Sequence, residues 1–271
     1  MNYRILALDL DGTLTNEQKQ ITSRVKTAVW RAVEQAGVTV VLASGRPLMG
    51  LWKPARELEL ERLGGYMLSC NGAQIVRCKD GRTVFERKLP REVLPYVCAL
   101  ADEYGLIGYT YDAQGIISEK SSNVYVQVEA FNNAIPVRVV KSLTEAVTWD
   151  VNKCIMVGKP AQLKLAQARL RERFGAAVTP VFSYDFMLEI MPAGVEKGLS
   201  LAWLTGELGY TREQVIACGD SLNDLPMIEY AGLGVAMANA YDAVKDLADY
   251  VAPSNEQDGV AHVVDQFIFG A

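Results

Sequence analysis

The sequence predicts an α/β protein: a doubly wound, Rossmann-like parallel sheet with an inserted α+β cap domain. Three observations carry this. The front third alternates apolar runs with amphipathic stretches in a βαβαβ order, which calls for parallel strands joined by crossover helices. The same alternation returns after Pro192. Between them come several short strands with few helices, the pattern of a separate module. The expected domains are a discontinuous core of residues 1–86 and 189–271 and a cap of residues 87–188.

Taken in order, residues 3–9 form an apolar strand. Residues 21–36 carry Ile21, Val25, Ala28, Val29, Ala32 and Val33 at helical spacing, with Gly37 as the stop. Residues 38–43 are continuously apolar, as a strand covered on both faces requires. Ser44-Gly45-Arg46-Pro47 opens the next helix, with proline near its start. Residues 66–70 are a third strand. Asp80-Gly81 turns a hairpin between 74–76 and 83–87. The inserted region reads as helices at 90–104 and 163–174, with strands at 106–111, 116–118, 151–157, 178–183 and 186–191. The returning core has helices at 197–208, 222–230, 242–247 and 259–267, with strands at 215–218 and 233–237. Thr211 suits a helix N-cap.

The composition narrows the function. The chain of 271 residues is half apolar, enough for a large core. A net charge of −5 disfavours nucleic acid and anionic membranes as partners. No stretch reaches the roughly 18 apolar residues that span a bilayer, and the first residues lack a signal-peptide form. The five cysteines are scattered without C-x-x-C spacing, and the single histidine, His262, lies far from them. They read as reduced structural thiols in a cytoplasmic protein.

The first strand ends in two carboxylates, Asp9 and Asp11. Charges at the end of a buried strand are costly unless a cation offsets them. The carboxyl ends of such strands are also where open α/β sheets bind ligands. Three further pieces stand at element ends: Ser44-Gly45-Arg46, Lys197, and Gly219-Asp220-Ser221-Leu222-Asn223-Asp224. Singly, each has an ordinary reading as a turn, a cap or a solvated helix start. Their joint occurrence at strand and helix ends points to one metal-assisted site.

These four segments, with Asn71-Gly72-Ala73 and residues 232–239, resemble the haloacid dehalogenase superfamily. The likeness is to its Cof-type branch of sugar-phosphatase-like hydrolases, covers essentially the whole chain, and shows no departure at the motif positions. It implies a magnesium-dependent phosphatase of small phosphorylated metabolites, sugar phosphates foremost. Asp9 would be the nucleophile and Asp11 the acid and base, a carboxyl suited to a leaving alkoxide. Magnesium would be held by Asp9, the Asp11 carbonyl and Asp220, while Asn223 and Asp224 orient its waters and Lys197. Thr13, Ser44, Gly45, Arg46, Asn71, Lys197 and Asn223 would meet the phosphate or the rest of the substrate. Glu189 marks the second crossing between domains. Tyr109, Tyr111 and Tyr125 are expected to pack. A phosphotransferase or phosphomutase using the same aspartyl-phosphate, and a non-catalytic metabolite sensor, stay open, as does monomer against homodimer.

Overall fold

The computed structural model describes residues 3–120 and 122–270. The chain divides into two units, one of residues 1–45, 51–85 and 196–271, the other of residues 46–50 and 86–195.

The first unit is built on an eight-stranded sheet. Its strands are β1 (Ile5–Leu8), β2 (Thr39–Ala43), β3 (Tyr66–Ser69), β4 (Gln74–Arg77) and β5 (Arg82–Glu86), then β12 (Val215–Gly219), β13 (Leu233–Met237) and β14 (Tyr250–Ala252). The order is β14-β13-β12-β1-β2-β3-β4-β5. Six of these strands run parallel, and β4 turns back antiparallel on β3. Strand order reverses at β1, which lies between β2 and β12, so the crevice at its carboxyl end is the place where such sheets bind ligands. The central parallel strands β1, β12 and β13 are buried throughout, as their apolar runs predict.

The crossover helix Ser23–Ala36 shows how local sequence fixes an element. Thr22 caps its start by accepting from Val25 N–H at 3.2 Å. Gly37 ends it at φ +66°, a left-handed conformation that costs glycine little. Val25, Ala28, Val29 and Ala32 form its buried stripe.

The second unit has its own six-stranded sheet, of β6 (Ile107–Asp112), β7 (Gly115–Ser118), β8 (Val137–Val139), β9 (Cys154–Val157), β10 (Val178–Tyr184) and β11 (Met187–Pro192). The order is β10-β11-β9-β6-β7-β8. All pairs are antiparallel except β7 with β8. Helices Val93–Tyr104 and Pro160–Phe174 bury Val97, Leu100, Leu163 and Leu170 with Cys154, Met156 and Ile190. Helix Val124–Asn133 packs Val126 and Ala130 with Tyr109, Ile155 and Val157, the alternate residues of the same strands.

Some expectations move. The second crossing was expected after residue 188, which would split β11; the strand is continuous with the cap sheet through Pro192, and the first unit resumes at Glu196. Residues 46–50 also group with the second unit. Helices Val124–Asn133 and Leu143–Ala146, with β8, occupy a region read as unassigned. Residues 222–230 are a 3-10 turn followed by the helix Leu225–Tyr230, where Pro226 starts the helix.

Candidate active site

Asp9 follows β1 directly, and its N–H donates to the Cys218 carbonyl at 3.0 Å, which ties the ends of β1 and β12 together. The chain then turns sharply. Gly12 holds φ +86°, and a Cβ there would lie 2.5 Å from Asp220 Oδ2, so only glycine lets the turn and Asp220 coexist. Thr13 Oγ1 donates to Asp220 Oδ1 at 3.0 Å, and Ser221 Oγ to its Oδ2 at the same distance. Both oxygens of Asp220 are thereby aimed.

Lys197 begins the helix Lys197–Glu207 and is fully buried. Its Nζ lies 2.5 Å from both Asp9 Oδ1 and Asp224 Oδ1. The other oxygen of Asp224 accepts from the N–H groups of Asp220 and Ser221 at 3.1 and 3.0 Å. Asp224 is therefore committed on both sides, to the ammonium and to the loop that carries Asp220.

Carboxylate oxygens of Asp9, Asp220 and Asp224 lie within 4.8 Å of one another. Three carboxylates thus cluster beside one ammonium, which Asp9 and Asp224 contact, and a divalent cation would balance the charge. Burial and the Asp224 charge raise the Asp9 carboxyl well above its ordinary range, against the pull of Lys197. Asp220 is raised for the same two reasons, with Thr13 and Ser221 opposing. For Lys197, burial works against its charge, but Asp224 and Asp9 outweigh it and the ammonium is held firmly protonated. An all-oxygen, electron-rich set of this kind suits magnesium. With Asp224 committed elsewhere, Asp9 and Asp220 are the side chains placed to hold it.

The Asp11 carboxylate lies outside this cluster. It pairs with Lys19 Nζ at 2.7 Å and is 37% exposed. Ser44 follows β2 and is buried; its N–H donates to the Leu68 carbonyl and its carbonyl accepts from Asn71 N–H, each at 2.9 Å. Asn71 Oδ1 accepts from Asn223 Nδ2 at 3.0 Å and would lie 3.2 Å from a Cβ on Gly45. Ser44, Gly45, Asn71 and Asn223 therefore form one connected group. Cys70 and Asn71 both hold left-handed backbones, at φ +49° and +55°, a strain concentrated where segments meet. Arg46 falls in the second unit, where its guanidinium reaches the Gly50 carbonyl at 3.5 Å.

The sequence reading missed Asn239, whose Nδ2 donates to the Gly12 carbonyl at 2.7 Å and braces the turn that follows Asp9. Its position just past a buried strand, β13, was the available signal. The cysteines are unbridged. Burial pushes the thiols of Cys78, Cys98 and Cys218 up to about 12 and that of Cys154 higher still, which suits structural roles. Among the described residues no helix is long and apolar enough to cross a membrane.

Comparison with known proteins shows the family and the fold. The family described as haloacid dehalogenase-like hydrolase matches residues 6–264. A crystal structure of a haloacid dehalogenase-like hydrolase from Bacteroides thetaiotaomicron superposes with a TM-score of 0.94 at 41% identity, covering 97% of this chain and 99% of that one. The 5-amino-6-(5-phospho-D-ribitylamino)uracil phosphatase YcsE of Bacillus subtilis is 29% identical over 99% of this chain and 97% of its own length. The subclass IIB sugar phosphatase BT4131 shares the fold, with a TM-score of 0.82 at 23% identity over 98% of this chain and 99% of that one.

Proposed function

Because this chain belongs to the haloacid dehalogenase-like hydrolases, we propose that it is a cytoplasmic, magnesium-dependent phosphatase acting on small phosphorylated polyols, sugar phosphates foremost. The observation that carries the reading is the cluster of Asp9, Asp220 and Asp224 at the switch point of the sheet, with the buried Lys197 paired to Asp9 and Asp224. The named substrates of the relatives support the substrate class: YcsE takes a phosphorylated ribityl chain and BT4131 a sugar phosphate.

The chemistry follows from the residues. Asp9 attacks phosphorus, and the bond to the leaving oxygen breaks as an aspartyl-phosphate forms. Asp11 gives its proton to the departing alkoxide; later it takes one from the water that attacks phosphorus, which restores Asp9 and releases phosphate. Its exposure, with Lys19 as a displaceable partner, suits a group that must exchange protons. Lys197 supplies a fixed positive charge toward the phosphoryl oxygens, with the Ser44 hydroxyl as a further donor. Magnesium, held by Asp9, Asp220 and the Asp11 carbonyl, would cancel the repulsion between a carboxylate and a phosphate dianion. Asp224 keeps Lys197 and the Asp220 loop in place.

The test is turnover of a panel of phosphorylated metabolites with magnesium, comparing native protein with Asp9→Asn. Hydrolysis by the native protein and its loss in a folded variant supports the reading. Equal activity in the variant overturns the assignment of Asp9.

A further inference from the structure

Residues 9–22 run from the end of β1 to the cap of the helix Ser23–Ala36 without forming a strand or helix. Their hydrogen bonds close two turns. In the first, Leu14 N–H donates to the Asp9 carbonyl at 3.2 Å, and the N–H and hydroxyl of Thr15 both donate to the Leu10 carbonyl at 2.9 Å. In the second, Asn16 N–H donates to the Gln20 carbonyl at 3.0 Å, and Gln20 N–H to Asn16 Oδ1 at 2.9 Å. Asp11 stands on the first turn and Lys19 on the second, so their ion pair joins two separately closed pieces of chain. Bonds within each turn do not fix one turn against the other.

A segment from the far end of the chain grips both. Asn255 Nδ2 donates to the Thr15 carbonyl at 2.9 Å, Glu17 N–H donates to Glu256 Oε1 at 2.6 Å, and Thr22 Oγ1 donates to Asp258 Oδ1 at 2.5 Å. Asn255 N–H donates in turn to Asn239 Oδ1 at 3.1 Å, which links it to the residue that holds the Gly12 carbonyl. The gripping segment is itself tightly wound. Ser254 N–H donates to Gln257 Oε1 at 3.3 Å and Gln257 N–H to the Ser254 carbonyl at 3.0 Å. A Cβ on Gly259 would lie 2.0 Å from the Pro253 carbonyl oxygen, so this turn closes as it does only with glycine there.

We propose that Asn255 is a positioning residue for Asp11: by holding the Thr15 carbonyl it fixes the turn on which the acid and base stands. The path is short. Thr15 is buried and forms an isolated β-bridge with Asp11, so a shift at Thr15 moves the Asp11 backbone directly. The opposite side of the same turn has other supports, since Gly12 packs on Asp220 and the Thr13 hydroxyl donates to it. Asn255 thus serves the proton-transfer side of the turn, and Asp220 with Thr13 the metal side. The inference rests on the phosphatase reading and adds a residue that acts through Asp11.

Two measurements on the full chain test it. The first is turnover with magnesium of Asn255→Ala and of Asn255→Asp, which keeps the shape and drops the donor. On the sugar phosphate that native protein hydrolyses fastest, kcat should fall about ten- to a hundredfold, the scale for a catalytic group displaced by about 1 Å. On p-nitrophenyl phosphate, whose leaving group departs without a proton, the loss in burst rate should be much smaller. Asp11→Asn combined with Asn255→Ala should lose no more than Asp11→Asn alone, because the two substitutions remove one function. Equal losses on both substrates, or losses that multiply in the double variant, overturn the proposal. The second is amide hydrogen exchange without substrate. Leu14, Thr15 and Asn16 should exchange about fivefold or more faster in Asn255→Ala, the scale of one lost hydrogen bond, with the helix Lys197–Glu207 unchanged. Native exchange at those amides overturns the grip on the turn. Failure of native protein to hydrolyse any phosphate ester would instead defeat the phosphatase reading, and with it the role of Asp11, while the exchange result would still decide whether Asn255 holds the turn.

Discussion

Lys197 Nζ lies 2.5 Å from Asp224 Oδ1, and neither side chain is exposed at all. The pair is assembled from two helix starts 27 positions apart. It joins the Lys197 ammonium to the loop that carries Asp220, because the second Asp224 oxygen binds that loop's amides.

Removing Asp224 should therefore damage the fold as well as the site. Asp224→Ala leaves the Lys197 charge with one buried partner and strands two amides, so a loss of about 3–5 kcal/mol of unfolding free energy is expected. Urea denaturation measures it. Asp224→Asn keeps the shape and one accepting oxygen, and should lose less. A native midpoint in Asp224→Ala would show that the pair contributes nothing to stability.

Gly12 tests the same loop from the other side. A Cβ in its left-handed backbone costs about 1–2 kcal/mol and meets Asp220 Oδ2. Gly12→Ala should fold, with a modestly lower Tm, and displace the aspartate from its partners. The magnesium concentration that half-saturates thermal stabilisation should rise about tenfold or more, the usual scale for misdirected metal ligands. A native magnesium titration would refute the view that Gly12 makes room for Asp220.

Much of this site was legible because its residues end buried apolar runs. Asp9, Ser44 and Asp220 each follow a run of at least four buried strand residues, so the sequence could place them on one edge of one sheet. The helix Val124–Asn133 was not legible. Val124, Val126 and Val128 alternate as a strand would, and the exposed Val124, Val128 and Phe131 mask the narrow buried stripe of Val126, Ala130 and Asn133. Its one signal was Asn123, whose side chain caps Tyr125 and Val126 N–H. Lys153 was illegible for a different reason. A lysine beside an apolar strand reads as a solvated end until the neighbouring strand supplies Glu189. Pairings between strands that far apart are set by tertiary packing.

The buried Asp9 carboxyl should make metal-free stability depend on pH. Its folded pKa is raised, by burial and then by Asp224. Below about pH 4 the group is protonated in both states and contributes nothing. As pH rises toward neutrality the unfolded chain ionises first, which favours unfolding. Without magnesium, Asp9→Asn should therefore match native protein near the acid end and exceed its Tm at pH 7. Added magnesium should raise the native Tm more than that of the variant, since binding to the folded state alone stabilises it. A pH-independent difference in Tm between the two proteins would contradict the raised carboxyl.

Asp11 makes a chemical prediction that its neighbours do not. Its carboxylate pairs with Lys19 rather than with Lys197 or the acidic cluster, so its loss should leave metal binding and Tm close to native. Protonation of the leaving oxygen matters in proportion to that oxygen's basicity. A sugar alkoxide is strongly basic and needs the proton, whereas p-nitrophenolate departs without it. Asp11→Asn should therefore lose about 10²–10⁴-fold in kcat on a sugar phosphate, the usual scale of general acid catalysis. On p-nitrophenyl phosphate the loss in aspartyl-phosphate formation, read as the burst rate in single turnover, should be much smaller. In the proposed mechanism the later hydrolysis also needs Asp11 as base, so phosphoenzyme should accumulate with the activated substrate and be trapped on acid quench. Equal losses on both substrates, with no accumulation, would remove Asp11 from the proton-transfer role and leave it a surface partner of Lys19.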